Sequence, residues 1–484
     1  MKIYKNVERS YIMSEKVKRL PKLKVPALAG MWYTISSILE RGSAIIFTPI
    51  YTRLLLPEAY GVYSIYTSFM GIVTVFATLE IAGGTVYRGL EEFKNKEEFL
   101  SSALGLISLS SLISFIFYLI FSARINSFTG LDTHLMLILF LQVFLNGVRA
   151  LKISEAKFSY NRKLPLAEGI FFSVIIPLVS ITLIIFSKEA RYARIYASLA
   201  ASVLFAAPIM FSILKKGSFK IFRKDVWSFL VKYTVPALPH YISISLIWQI
   251  GKIIVGNRFS SAEAGLLSLA TSVGLLPTLL TLGMQSALLP WITRKLGEGA
   301  QGRRKIYSLI LSVFFPLCLS VALFLIICPE VFRIMSGRNY LSALGAVYPI
   351  AASVPAVFLT NLLCAEISYY KKTHLVAIGS VLGSVFCLIF NLLFTFKLGF
   401  EFSAVLILPI FLFMTIVYFV ILKRKFMHYE LPAKKLLATY FIFLILVAFV
   451  AFIKISFLAR VFLAIALVMM LLPKVKQLKP LYSE

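Results

Sequence analysis

Two cations stand inside otherwise apolar stretches of the 484-residue chain: Arg41, within 27–49, and Lys252, within 233–257. A guanidinium grips oxyanions through paired N–H donors, and an ammonium adds a point charge, so both suit an anionic ligand. Their neighbours at helical spacing are polar. At about 100° per residue, Thr34, Ser37, Arg41, Thr48 and Thr52 fall within about 60° of one another. Tyr241, Ser245, Gln249, Lys252 and Gly256 fall within about 80° by the same rule. Two cation-bearing polar faces predict a cavity for an anionic, hydroxyl-rich ligand, with Arg41, Lys252, Ser37, Thr48, Ser245 and Gln249 as its binding residues. Arg149, at the inner end of the fourth apolar stretch, is a candidate for the entrance. The plainer alternatives are that Arg41 pairs with a buried carboxylate, that Lys252 extends to the outer surface, and that Arg149 is an ordinary cationic anchor.

Carboxylates in apolar sequence are the groups through which an ion could be coupled. Glu40, Glu80 at the outer end of the second stretch and Glu366 at the inner end of the tenth are the candidates. Cys318, Cys328, Cys364 and Cys387 lie inside apolar segments without CxxC spacing, so neither a disulfide framework nor a metal site is expected. No GxxxxGK[ST] phosphate loop occurs, and no cofactor is expected.

The elements that must position these residues are dictated by composition. Hydrophobic residues make up 59% of the chain and charged ones only 15%, and the mean hydropathy is +0.87. A soluble domain has about 25% charged residues, so this is an all-α, polytopic membrane protein. A helix needs about 20 apolar residues to cross hydrocarbon. On that measure spans are expected near 27–49, 60–82, 100–122, 133–151, 165–187, 194–214 and 233–257, then near 265–289, 306–328, 342–365, 374–396, 401–422, 435–453 and 457–473. With both termini cytoplasmic, 37 of the 50 Lys and Arg fall on the cytoplasmic side and 11 outside, leaving Arg41 and Lys252 within spans. That asymmetry fits about fourteen helices, and it explains the net charge of +29 without nucleic acid.

The chain also repeats itself. Arg53-Leu-Leu-Leu-Pro-Glu58-Ala-Tyr-Gly61-Val-Tyr-Ser64-Ile-Tyr-Thr67-Ser68 is echoed by Arg258-Phe-Ser-Ser-Ala-Glu263-Ala-Gly265-Leu-Leu-Ser268-Leu-Ala-Thr271-Ser272. Ser159-Tyr160-Asn-Arg162-Lys163 is matched by Ser368-Tyr369-Tyr-Lys371-Lys372. The offset spans six helices, an even number, so the copies share one orientation. This implies two parallel six-helix bundles about an axis along the membrane normal, with a path between them. The expected organisation is a basic cytoplasmic segment 1–26, bundles at 27–214 and 233–422, a linker 215–232, two accessory helices in 423–473 and a tail 474–484. Pro236 and Pro239, in the seventh span, are the expected moving element.

The stretch Thr52-Arg53-Leu-Leu-Leu-Pro57-Glu58-Ala-Tyr-Gly61-Val-Tyr-Ser64 resembles the first loop of bacterial polysaccharide and O-antigen repeat-unit flippases, in the multidrug/oligosaccharidyl-lipid/polysaccharide exporter superfamily. Tyr370-Lys371-Lys372-Thr373, and the run from Asn391 to Gly399, are similar to that family's eleventh helix. The usual Gly-Ala-Ala after that helix is Phe402-Ser403-Ala404 here. The lipid II flippase branch is similar in architecture, but the basic residues expected in its eighth helix are missing from 265–289. The resemblance implies a monomeric, non-enzymatic transporter in the bacterial cytoplasmic membrane. Its partners would be a polyprenyl-pyrophosphate-linked glycan, membrane lipids and the polysaccharide polymerase machinery. A proton or sodium gradient, or the membrane potential, would supply the energy. A multidrug antiporter of the same superfamily is the alternative reading, and a membrane-embedded polymerase or ligase of lipid-linked sugars a third. Green fluorescent protein fused at either terminus or within 215–232 is expected to fluoresce, and alkaline phosphatase fused near Gly130 or Arg338 to be active. An active phosphatase in the linker would reverse the assigned topology.

Overall fold

The computed structural model describes residues 24–187, 189–427, 431–452 and 457–478. All regular structure among them is helical. The basic segment 1–26, apart from its last three residues, and the tail beyond Leu478 lie outside the described residues.

The chain opens with α1 (Lys24–Leu54) and α2 (Pro57–Thr78), then a short amphipathic helix, α3 (Thr85–Glu92). Next come α4 (Lys96–Thr129), α5 (Thr133–Phe158), α6 (Lys163–Phe186) and α7 (Ala190–Lys216). Beyond the linker lie α8 (Lys224–Arg258), α9 (Ser261–Gly274) and α10 (Thr278–Leu296). The series ends with α11 (Gly299–Met335), α12 (Leu344–Tyr369), α13 (Thr373–Leu398), α14 (Glu401–Phe426), α15 (Ala433–Phe452) and α16 (Phe457–Leu478).

Eleven described helices are long and apolar enough to cross a membrane, or twelve when α9 and α10, bent by 47°, count as one span. α1 and α16 are long helices outside that tally, and each abuts residues that are not described. Hydrocarbon supplies no hydrogen-bond partners, so helix ends must be satisfied locally. Asn95 caps α4, Asp132 caps α5 and Ser260 caps α9, each accepting a backbone N–H three residues on. α2 starts instead with Pro57, whose missing N–H costs nothing at a first turn.

The two glycines of the repeat meet each other. α2 crosses α9 where Gly61 faces the Ser261 carbonyl and Gly265 faces the Pro57 carbonyl, and a Cβ on either would run into that backbone. Arg53 makes no pair with Glu58. Its guanidinium donates to the Pro49 carbonyl at 2.8 Å and to the Ile334 carbonyl, at the end of α11, at 2.9 Å. Beside it Thr52 Oγ1 donates to the Met335 carbonyl at 2.9 Å, and Tyr340 Oη to the Leu55 carbonyl at 3.0 Å. These contacts seal the side of the molecule assigned to the exterior.

α15 and α16 dock on the second half of the chain. Tyr440 Oη donates to the Ala352 carbonyl of α12 at 2.7 Å, and Arg460 pairs with Glu330 of α11 at 2.8 Å. α8 is broken at a short 3₁₀ turn, Val235–Ala237, which contains Pro236, and Pro239 follows in the first turn beyond it. Gly61→Ala and Gly265→Ala are each expected to cost about 1–3 kcal/mol as overpacking. Thermal unfolding of the purified protein checks this, with a control at Gly345→Ala, whose Cβ would enter open space. The double variant should cost less than the sum, since both changes open one crossing.

Candidate functional site

A cavity of about 310 Å³ lies among α1, α2, α6, α7 and α9, just beneath the outer seal. Its wall carries Arg194, the tyrosines Tyr51, Tyr60 and Tyr63, and the hydroxyl residues Ser43, Thr48, Ser180, Ser198 and Ser272.

Arg194 is the charge at its centre. Its guanidinium carbon lies 3.8 Å from the centre of the Tyr63 ring, 4.1 Å from that of Tyr51 and 5.1 Å from that of Tyr60. The rings crowd the planar group, which also donates a hydrogen bond to the Tyr60 hydroxyl. Nη1 is buried and makes no hydrogen bond. A cation at the centre of a span costs about 3 kcal/mol on insertion scales and less near an end, and each ring contact returns about 0.5–2 kcal/mol. The tyrosines thus hold the charge in place without neutralising it, and an anion meeting Nη1 would complete the site.

Neighbouring elements fix the walls. Tyr66 Oη donates to Gln142 Oε1 at 2.7 Å, and Gln142 in turn donates to Ser198 Oγ, which ties α2, α5 and α7 together. Tyr51 Oη donates to the Pro177 carbonyl at 3.3 Å. Pro177 has no N–H for the carbonyl four residues earlier, and the chain just before it, Phe171–Ile175, winds as a π-helix. That wider turn presents Phe172 to the cavity. A second cavity, of about 130 Å³ beneath α15, is lined almost wholly by apolar groups such as Leu359, Leu436 and Phe419 and offers a charged group nothing.

Of the residues expected from sequence, Thr48 lines the Arg194 cavity. The side chains of Ser37, Glu40 and Arg41 lie outside the described residues. The second polar face divides. Ser245 Oγ donates to the Gly71 carbonyl of α2 at 2.9 Å, and Gln249 packs on the same glycine. Lys252 instead lines a pocket of about 20 Å³ with Thr271, Asn391 and Ser403, apart from the Arg194 cavity. Arg149 pairs with Glu168 at 3.3 Å and lies 3.9 Å above the Phe172 ring, so both its charge and its face are engaged. Glu366 is buried and accepts from Tyr307 Oη at 2.8 Å, a bond that joins α12 to α11. Glu80 is not at the outer end of its helix. It comes after Thr78, beside Gly83 and Tyr241, at the end of the molecule that carries the linker, because α2 starts at the outer loop. Burial pushes its carboxyl pKa up.

With the geometry in place, comparison with known proteins is decisive on one point. Residues 29–296 match the family model described as "Polysaccharide biosynthesis protein". The chain belongs to that family. Two Haemophilus influenzae relatives are similar to it. One is a protein of the Lsg locus, 21% identical over 175 residues, which cover 35% of this chain and 42% of the relative. The other is a membrane protein, 22% identical over 400 residues, 78% of this chain and 94% of its own length. The chain therefore spans about two fifths of the first and nearly all of the second. Among solved structures, a lipid II flippase, MurJ, in an inward closed conformation has a TM-score of 0.69 at 16% identity, over 91% of this chain and 98% of its own. An inward-facing multidrug resistance MATE transporter of the MOP superfamily has 0.56 at 14%, over 87% and 99%. These likenesses establish a MurJ/MATE-like fold.

Sequence reasoning missed the central cation of this polysaccharide biosynthesis family member. Starting the sixth span at residue 194 places Arg194 among the external cations, whereas α7 begins at Ala190 and carries it a turn inward. A signal was present: Tyr60 and Tyr63, three residues apart, share one face of α2 near Tyr51. Arg194→Gln is expected to lower the affinity of the purified protein for inorganic pyrophosphate roughly ten- to a hundredfold, as for lost charge-assisted hydrogen bonds. Arg194→Lys should fall between, keeping the charge but not the fork. Equal binding by all three forms, read by titration calorimetry, would remove Arg194 from the site.

Proposed function

We propose that this protein is a flippase that carries undecaprenyl-pyrophosphate-linked oligosaccharide repeat units across the bacterial cytoplasmic membrane. It works by alternating access between the two halves of the chain, as a monomer and without catalysing a reaction. The observation that carries this reading is Arg194: a cation caged by tyrosines on a membrane-spanning helix, with one buried donor, Nη1, unpartnered and hydroxyls around it. A pyrophosphate supplies the missing anion, and serine and threonine hydroxyls suit the first sugars. Arg41 is proposed to add charge deeper on α1. Lys252 is proposed to add a point charge for the anionic ligand, and the carboxylates Glu40, Glu80 and Glu366 are proposed for coupling to a proton or sodium gradient or to the membrane potential. Product would pass to the polysaccharide polymerase machinery.

Membership of the polysaccharide biosynthesis family and the likeness to MurJ support the reading. The MATE likeness keeps a multidrug antiporter as the alternative, yet an unneutralised arginine in the cavity repels the cationic drugs that an acidic site would attract.

Sidedness of the lipid-linked glycan tests the proposal directly. In cells lacking the protein, a glycan-specific lectin applied from the periplasmic side should find no outer-leaflet signal. Wild type should restore it, and equally expressed Arg194→Ala should restore less than about a tenth, as expected when charge-assisted hydrogen bonds in the binding site are lost. Normal sidedness in the deletion strain would end the flippase reading and bring the antiporter forward.

A further inference from the structure

The charge in the cavity and the seal above it share one side chain. Tyr60 is buried, at 5% exposure, between Arg194 on one side and Tyr340 on the other. Its ring centre lies 5.1 Å from the guanidinium carbon and 5.9 Å from the centre of the Tyr340 ring, which meets it edge-on at 80°. Tyr340, fully buried in the 3₁₀ turn between α11 and α12, donates its Oη to the Leu55 carbonyl. Leu55 is in the connection between α1 and α2, beside the Thr52 and Arg53 bonds to the end of α11. An unbroken line of contacts thus runs from the anion site through Tyr60 and Tyr340 to the outer closure.

We propose that Tyr60 and Tyr340 are positioning residues that make opening of the outer seal depend on occupancy of the Arg194 site. This rests on the anion-site reading given under Proposed function. Empty, the cation draws the electron-rich face of Tyr60 toward it, and Tyr60 holds the edge of Tyr340 so that its hydroxyl stays on Leu55. An anion on the donor edge of Arg194 cancels most of that attraction. Tyr60 is released, Tyr340 loses its support, and the loops 53–57 and 335–343 can part. Opening without an anion is thereby disfavoured, which keeps an empty transporter from leaking ions.

Spin labels at Leu56→Cys and Asn339→Cys, both on exposed positions of the two loops, report the seal as a distance measured by pulsed electron resonance. The ligand-free protein should show mainly the short distance, and saturating inorganic pyrophosphate should populate a longer one. Tyr340→Phe keeps the ring and removes the bond to Leu55. It should raise the ligand-free long-distance population about fivefold, the effect of one ordinary hydrogen bond. With each variant brought to full occupancy by its own pyrophosphate titration, Tyr60→Leu should no longer change its distance on binding, while Tyr60→Phe, which keeps the aromatic face, should still lengthen it. A role in packing alone would not separate Leu from Phe in the response at full occupancy. An unchanged ligand-free distribution in Tyr340→Phe, or a full response in Tyr60→Leu, overturns the coupling. Binding by wild type with an unmoved seal overturns it while leaving the anion site intact. No binding by wild type overturns both.

Discussion

A positive charge that hydrocarbon cannot solvate, and that no carboxylate among the described residues neutralises, sets the terms for the first half of this molecule. Arg194 is kept by aromatic faces, whose quadrupoles favour a cation without cancelling it. A carboxylate would have been the cheaper partner, and Arg149 with Glu168 shows the chain using one nearer the opposite face. The difference marks their duties. One arginine is committed to packing, and the other keeps its Nη1 donor without a hydrogen-bond partner. The tyrosines that hold it come from α1 and α2, so both helices, and the loop between them, are organised around this one group.

That loop is also where the two halves of the chain close on each other. The crossing of α2 with α9 brings backbone to backbone at Gly61 and Gly265, and the loop beside it is stitched to the end of α11 through carbonyls. Carbonyls at a helix end are unpaired by construction, so donors from another helix can engage and release them without breaking any helix. Further along the same span as α9, α10 is bent from it by 47°.

The fold was largely legible. Apolar length, the alternation of Lys and Arg and the internal repeat all point to the helices that are seen, and the glycines of the repeat lie at the crossing of α2 with α9. The site was legible only in part, for reasons of register. Thr48 was found because polar residues at helical spacing mark a shared face. Ser245 and Gln249 obey the same spacing but turn toward Gly71, since a helix between two neighbours has more than one face that tolerates polarity. Arg194 was passed over because hydropathy starts a helix where apolar residues begin, not where the backbone does. Glu80 was placed on the wrong side by counting its helix in the wrong direction.

The π-helical turn at Phe171–Ile175 bears on how such a protein changes over generations. A π turn accommodates about one residue more than an α turn. α6 therefore carries a spare residue, and loss of a single codon there can be absorbed by reversion to α geometry with both ends of the helix left in place. The same loss leaves the faces of the flanking turns unchanged and alters only which side chain stands where Phe172 stands now. A lineage can thus revise the lining of its cavity in one step, leaving the helices that anchor it undisturbed.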